Sequence, residues 1–488
     1  MKKRILTLVA ALAAAALLAA CGDKPPAVTT TDTSAGDTSV TDADTLGIPE
    51  TADYDGEAFN ILSAGNVAYA DFTADETAST PLDSAQYKRK ALVEQNYGVK
   101  IAETVEKAYS SGGGPGYKRL STDANAGDCN FDLALVAGYD VTVLAYSDYL
   151  YDLASIPGID LSKSWWDKRA NENLAVRGVM FFTTGEITVS DNDVAFVILF
   201  NKELRKAYDL DDPYSLVYDG EWTLDTFGAL CKTVTEDLDQ NGIMDANDRF
   251  GVLVWDDSVV GIVNAAGQRC CTIAEDGTIG LTLYNETTLA ALDKYFSIIY
   301  DTQYALTYQR EKVDPLEMWQ ADKGLFWMNT MTRIPQLRGM ESDFGILPYP
   351  KLNAEQQDYY TTVAPYNSQF VCVPLIQKDI ERTGIITEAL AYYGEKIVTP
   401  AYYDVNLVGQ STRDEESADM LEIIFDNLVF DIGYYYQVGP YNKQLIRMVQ
   451  ERDTNFTSMY DSYKTSAERL LTVINTYYAK AVSGWEKQ

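Results

Sequence analysis

Apolar residues follow two spacings along this chain, and each marks one kind of element. Short apolar runs recur at residues 59–64 (FNILSA), 131–137 (FDLALVA), 194–200 and 250–255 (FGVLVW), and read as buried strands. Three- and four-residue spacing appears between them. Leu224, Phe227, Leu230, Cys231 and Val234 form one such stripe behind Thr223, which can cap a helix whose first turn holds Asp225. Helices are likewise expected over residues 83–97, 289–299, 420–428 and 466–478. The helix at 83–97 lies between the strand at 59–64 and another at 99–101. Strand, helix, strand alternation of this kind predicts an α/β fold with helices on both faces of a sheet. Ligands of such sheets bind beyond the carboxyl ends of strands, so the turns at 63–66 and 138–140 are the positions where a binding rim would form.

Between the helix at Thr223 and the strand at Phe250 lies Asp237-x-Asp239-x-Asn241-Gly242-x-x-Asp245-x-x-Asp248. Oxygen side chains stand at loop positions 1, 3, 5, 9 and 12, glycine stands at position 6, and the carbonyl of Ile243 is at position 7. A hard cation takes six to eight oxygens, and this spacing supplies them, so Asp237, Asp239, Asn241, Ile243, Asp245 and Asp248 are expected to ligate Ca2+. Asp248 departs from the pattern, because EF-hands usually carry a longer, bidentate Glu there. The alternative is a solvated acidic turn. A strand follows the loop instead of a second helix, and there is no second copy, so a structural clip is expected and not a regulatory EF-hand pair.

The first residues predict export. Lys2, Lys3 and Arg4 precede an apolar run that closes with Leu18, Ala19, Ala20 and Cys21, too short for an ordinary membrane span. A small-residue site ending in cysteine resembles the lipobox of bacterial lipoproteins, in which the cysteine becomes the lipidated N-terminus. The alternative is ordinary cleavage beside a chance cysteine. Residues 22–48 are rich in Thr, Ser, Asp, Ala and Gly and have little to bury, so they read as a tether. The remaining chain, about 440 residues, exceeds the size at which one core stops growing, and two domains are expected.

Charge and composition remove whole classes of function. Asp and Glu number 72 against 39 Lys and Arg, a formal net charge of −33. That balance argues against nucleic acid and against anionic headgroups as surface partners, so any membrane attachment is expected through lipid on Cys21. The chain has no histidine. Ser-His-Asp and Cys-His catalysis and histidine-containing zinc sites are thereby excluded. Cys129, Cys231, Cys270, Cys271 and Cys372 show no metal spacing and read mostly as small buried residues, with no disulfide framework.

A resemblance emerges further along. Ser190–Asp193 precedes an apolar run that leads into Asn201, Lys202, Glu203 and Leu204, and a helix start follows at Gly220, Trp222, Thr223 and Asp225. Residues 321–328 (ADKGLFWM) and 343–351 (DFGILPYPK) then precede Arg413, Asp414, Glu415, Glu416, Ser417 and Met420. In this order, from about residue 55 to the end, these stretches resemble the extracellular solute-binding proteins of bacterial ABC importers, sugar-binding family 1. The resemblance, not periodicity, implies a two-lobed α/β periplasmic-binding-protein-like fold of type II with a ligand cleft between the lobes.

It also sets the boundaries. Residues 1–20 would be the signal peptide and 21–51 the lipidated cysteine and tether. Lobe one would comprise 52–193 with 350–398, and lobe two 194–349 with 399–488, including the loop 237–248. Crossings are expected near 190–199, 344–350 and 397–402. The partners implied are a carbohydrate, the permease subunits of an ABC importer and the membrane that holds the lipid. The protein would act as a monomer at the extracytoplasmic face of the cell membrane, without enzymatic activity.

With 34 Tyr and seven Trp, rings to stack on sugar faces are plentiful, although most rings in any protein are core. Position favours Trp165, Trp166, Trp255, Trp327 and Tyr366 as ligand platforms. Asp140, Asp191, Asn192, Asp257, Asn329 and Arg333 are the polar candidates, and each could instead be a turn or cap residue. Two other readings stay open: a peptide or amino-acid carrier on the same fold, and a lipid-anchored carbohydrate-active enzyme using carboxylate pairs such as Asp191 and Asp193.

Overall fold

The computed structural model describes residues 45–67, 69–403 and 415–485. The expected signal peptide, the candidate lipidation site Cys21, the expected tether up to residue 44, and Arg413 and Asp414 lie outside these residues. In chain order the strands are β1 (Glu57–Gly65), β2 (Val99–Lys107), β3 (Leu133–Ala137), β4 (Phe196–Asn201), β5 (Phe250–Val254), β6 (Cys271–Ile273) and β7 (Ile279–Leu281). They continue with β8 (Ala305–Thr307), β9 (Gly324–Thr330), β10 (Phe344–Leu347), β11 (Thr361–Thr362), β12 (Gln369–Cys372) and β13 (Leu428–Val429).

Two sheets organise the molecule. The first has the order β12-β3-β1-β2, with β1 parallel to both β2 and β3 and with β12 antiparallel to β3. The second has the order β10-β4-β9-β5-β8, in which β5 runs parallel to β8 and β9 while β4 runs antiparallel to β9 and β10. β3, β4, β5, β9 and β10 are buried along their whole length, which is why they read as continuous apolar runs.

The helix Pro81–Tyr97 makes the crossover from β1 to β2. Thr80 accepts from the Asp83 amide at 3.0 Å, proline fills the first turn, and Gly98 ends the helix in the left-handed region at φ 59°. Ala85, Arg89, Val93 and Tyr97 recur every fourth residue and are buried. Arg89 is tolerated inside because it donates to the Ile187 and Asp71 carbonyls at 2.6 and 2.7 Å and stacks over Phe72.

The chain leaves the first sheet after β3 and joins the second at Phe196, through the short helix Ser190–Asp193. It returns after Leu347 and re-enters the first sheet at Gln369. The helix Ile380–Tyr393 then runs into a π-helical turn at Gly394–Val398. Asp193 ties these passages together, accepting from the hydroxyls of Tyr69 at 2.9 Å and Tyr402 at 3.0 Å.

Two details depart from the sequence reading. The helix expected over 420–428 runs Glu415–Phe425, and Leu428–Val429 instead pairs with β11. The final helix, Phe456–Trp485, expected within lobe two, touches both lobes. Its Asn475 bonds Ile279 at the β6–β7 hairpin, while Tyr478 packs on Phe181 at 5.4 Å. No helix among the described residues is long and apolar enough to cross a membrane.

Candidate functional site

The carboxyl ends of β1 and β3 and the start of the antiparallel β12 emerge on one side of the first sheet. They present the turn at Asn66, the Gly138, Tyr139 and Asp140 segment, and the loop at Tyr366 and Asn367. Gly138 lets this loop approach, because a Cβ there would lie 2.5 Å from the Pro365 carbonyl oxygen and 2.9 Å from the Tyr435 ring. Asn66 then donates to Asn367 at 2.7 Å, and the rings of Tyr139 and Tyr366 lie 6.3 Å apart.

The second sheet supplies the facing surface. β5 is followed by Trp255, Asp256 and Asp257, β8 by Tyr308, and β9 ends in Asn329 and Thr330. Trp255 is half-buried, with one side on Phe196 at 4.8 Å, and Phe196 packs in turn on Tyr349. Asn329 and Tyr308 are both buried in this closed arrangement, and Asn329 donates to the Tyr308 hydroxyl at 2.9 Å. The lobes meet where Tyr366 lies near enough to Asp257 for the carboxylate's charge to act on its hydroxyl and where Asn442 donates to the Tyr139 hydroxyl. Burial, followed by the neighbouring Asp256, pushes the Asp257 carboxyl up to about 8. The site therefore combines aromatic faces, amides and a carboxyl that acts as a donor when protonated.

Of the residues expected at the ligand, Trp255 and Asp257 follow β5 on one lobe and Tyr366 lies in the loop before β12 on the other, where Asp257 acts on its hydroxyl. Arg333 is exposed beyond β9, near enough for its charge to act on Tyr308. The other rings lie elsewhere. Trp165 and Trp166, expected at the ligand, are buried in lobe one, with Trp165 edge-on to Tyr392 at 5.2 Å and the Trp166 indole donating to Glu388 at 2.9 Å. Trp327 is fully buried on β9 against Trp319. These three rings are core because covering helices close over the faces that a sugar would need.

Among the polar candidates, Asp140 is buried and takes the Gly112 and Gly114 amides at 3.1 and 2.9 Å, so it shapes its own loop. Asp191 is buried at the first crossing and accepts from Thr184, and Asn192 is half-buried beside it. Burial, and then Asp167 and Glu186, raise the Asp191 carboxyl well above the ordinary range. Sequence reasoning missed Tyr139 and Tyr308. Tyr139 stands inside the turn singled out at 138–140, and that position was the available signal. Tyr308 follows a strand too short to register as a pattern.

The acidic loop sits at the opposite end of β5, about 16 Å from the cleft for five residues of strand. The carboxylates of Asp237, Asp239 and Asp248 offer oxygens within 4.8 Å of one another. Gly242 turns the chain at φ 80°, and the amides of Gly242 and Ile243 donate to Asp237 and Asn241 at 2.8 and 2.6 Å. Asp248 is fully buried and accepts from the Leu238 and Asp245 amides at 2.9 and 2.8 Å. The donor set is hard oxygen, as Ca2+ requires, and three of the expected carboxylates already lie together, while Asp245 instead accepts from the Asn247 amide at 2.8 Å.

No known family profile matches the chain, and no curated protein sequence matches it. Solved structures do. The galacto-N-biose/lacto-N-biose I-binding protein of an ABC transporter from Bifidobacterium longum, in complex with lacto-N-biose, superposes with a TM-score of 0.57 at 13% identity, covering 86% of this chain and 98% of its own. A cyclo/maltodextrin-binding protein complexed with maltotetraose gives 0.56 at 12% identity, over 85% of this chain and 96% of its own. An ABC substrate-binding protein from Listeria monocytogenes, in complex with cycloalternan, gives 0.54 at 12%, over 85% and 99%. The two sheets, the passages between them and the cleft at their strand ends thus compose the two-lobed fold of ABC-transporter substrate-binding proteins.

Proposed function

We propose that the protein captures a carbohydrate between its lobes and delivers it to the permease of an ABC importer. The observation that carries this reading is the convergence on one cleft of Trp255, Tyr139 and Tyr366 with Asp257 and Asn329, supplied by both sheets. Flat rings match the apolar faces of sugar rings, while carboxyl and amide groups match hydroxyls. The similar structures hold lacto-N-biose, maltotetraose and cycloalternan, which favours the same ligand class here. Entry requires the Tyr366–Asp257 contact to open, and closure then completes contacts from both lobes, which sets affinity.

Delivery from a membrane-bound position is part of the proposal. Lipid on Cys21 and the tether after it would hold a monomer at the extracytoplasmic face, within reach of the permease. Ca2+ in the loop 237–248 would clip the entry to β5 and stay out of the cleft.

A thermal-shift screen over neutral glycans, amino acids and peptides tests the ligand class. Stabilisation by a glycan supports the carrier, since a ligand at 100 times its Kd adds about 2.7 kcal/mol. Stabilisation by peptides or amino acids alone would replace the ligand class. The raised Asp257 carboxyl beside Asp256 gives the enzymatic reading its one specific support. Recovery of the bound glycan intact after prolonged incubation counts against that reading, and cleavage would establish it.

A further inference from the structure

The three passages between the lobes meet at one carboxylate. We propose that Asp193 is the pin of the hinge: its hydrogen bonds to Tyr69 and Tyr402 hold the ligand-free protein closed, so that the lobes open only when the pin releases a hydroxyl. The inference rests on the carrier reading above, in which the lobes must open to admit a ligand, and not on which ligand that is.

The first and second passages run together. Ala195 pairs with Val363 in an antiparallel bridge, and the Ala364 amide donates to the Val194 carbonyl at 3.4 Å. Both are anchored in lobe one, because the Gln369 amide donates to the Ser190 hydroxyl at 3.1 Å and that hydroxyl donates to the Gln369 carbonyl at 3.2 Å. The third passage, after Val398, has no backbone pairing with this ribbon among the described residues. It starts on lobe one, where the Thr399 hydroxyl donates to Glu186. Further along, Tyr403 packs edge-on against Phe425 at 5.6 Å, in a helix that Ser417 and Asp419 fasten to Tyr214 and Tyr218 of lobe two. Tyr402 lies between these two anchors, so a rotation of one lobe against the other has to displace it.

Asp193 stands where the first passage leaves lobe one, and it gives one oxygen to each partner. Tyr69 donates to Oδ2 at 2.9 Å and Tyr402 to Oδ1 at 3.0 Å. Tyr69 belongs to lobe one, since its amide donates to Gln369 Oε1 at 2.7 Å and Gln369 in turn donates to the Leu135 carbonyl on β3 at 2.9 Å. A single side chain thus joins lobe one, the paired ribbon and the third passage. Burial raises the Asp193 carboxyl, and the two hydroxyls act against that rise. Bonds to a carboxylate are strong, and a buried acceptor that loses its donor is costly, so the pin favours the arrangement in which both bonds are made. Asn66, which bonds Asn367 at the cleft rim, shortly precedes Tyr69, so the rim lies next to the hinge along the chain.

Small-angle X-ray scattering of the ligand-free protein tests the inference. Wild type should scatter as the closed arrangement. Tyr402→Phe and Tyr69→Phe should each raise the radius of gyration, as the ratio of closed to open molecules falls about tenfold or more with one bond to the carboxylate lost. Asp193→Ala should open the lobes at least as far, and Tyr402→Phe added to it should change nothing more, because the bond is already gone. Tyr97→Phe is the control for a merely structural loss, since the buried Tyr97 hydroxyl donates to the Pro49 carbonyl at 2.8 Å within lobe one. It should lower the melting temperature and leave the radius of gyration unchanged. A wild type already open, Tyr402→Phe and Tyr69→Phe variants as closed as wild type, a further effect of Tyr402→Phe in Asp193→Ala, or equal opening in Tyr97→Phe would overturn the pin. Because no glycan takes part, each of these results leaves the carbohydrate reading standing, and the thermal-shift screen judges that reading separately.

Discussion

Replacing Trp255 by alanine separates the binding platform from the core. The ring is half-buried, with Phe196 at 4.8 Å on one side and the cleft on the other. A tryptophan buries about 150–250 Å² when covered, so covering its free face with a sugar removes on the order of 60–120 Å² from water. At about 25 cal/mol per Å² that contributes roughly 1.5–3 kcal/mol, and Trp255→Ala should therefore raise Kd by about 10- to 150-fold. Calorimetric titration of both forms with the same glycan measures this directly. Trp327→Ala is the matched comparison. Its ring is fully buried, so it should destabilise the fold by about 3–5 kcal/mol, with its effect on binding following only from lost stability. Fluorescence gives a second readout, because among the tryptophans whose side chains are described Trp255 alone is not buried. Ligand should change the emission of wild type, and that change should vanish in Trp255→Ala. Unchanged affinity in this variant would refute the assignment of the platform.

Three further outcomes follow from the same structure. Saturating Ca2+ should raise the melting temperature, and Asp237→Ala should abolish the gain; an equal melting temperature in chelator and in millimolar Ca2+ would remove the metal. Burial pushes Glu103, Glu186 and Glu388 up to about 7 and Asp257 up to about 8, so the folded form keeps protons that the unfolded chain has released. Stability measured by urea unfolding should therefore fall as pH rises from about 5 to 8 and level off above that, and a rise over this window would contradict the burial of these carboxyls. Cys21→Ala should release the protein from membranes, and continued detergent-dependent association would exclude the lipid anchor.

The architecture was legible because it is written in local patterns. Buried strands such as β3 and β5 stand out as continuous apolar runs, and Thr80, Pro81 and Gly98 mark the ends of one helix by their own chemistry. Of the candidate site, the sequence pattern marks only residues beside strand ends or in the loops between strands, such as Trp255, Asp257 and Tyr366. A ring on a sugar platform and a ring in a core look alike in sequence, and what decides between them is a distant partner. Glu388, 222 residues further on, takes the Trp166 indole inside, and Trp319 covers Trp327. Asp140 illustrates the same limit for polar groups. It stands at the expected turn, but two amides from the loop at Gly112 and Gly114 engage it. The acidic loop was readable for the opposite reason, since all its oxygens lie within one twelve-residue stretch.

A crystal structure of the protein with the glycan that most raises its melting temperature tests the central claim most directly. The sugar is expected between the lobes, with a ring against Trp255 or Tyr366 and hydroxyls on Asp257 and Asn329. A glycan bound only outside the interlobe cleft, or one that leaves Trp255 and Tyr366 untouched, would contradict it.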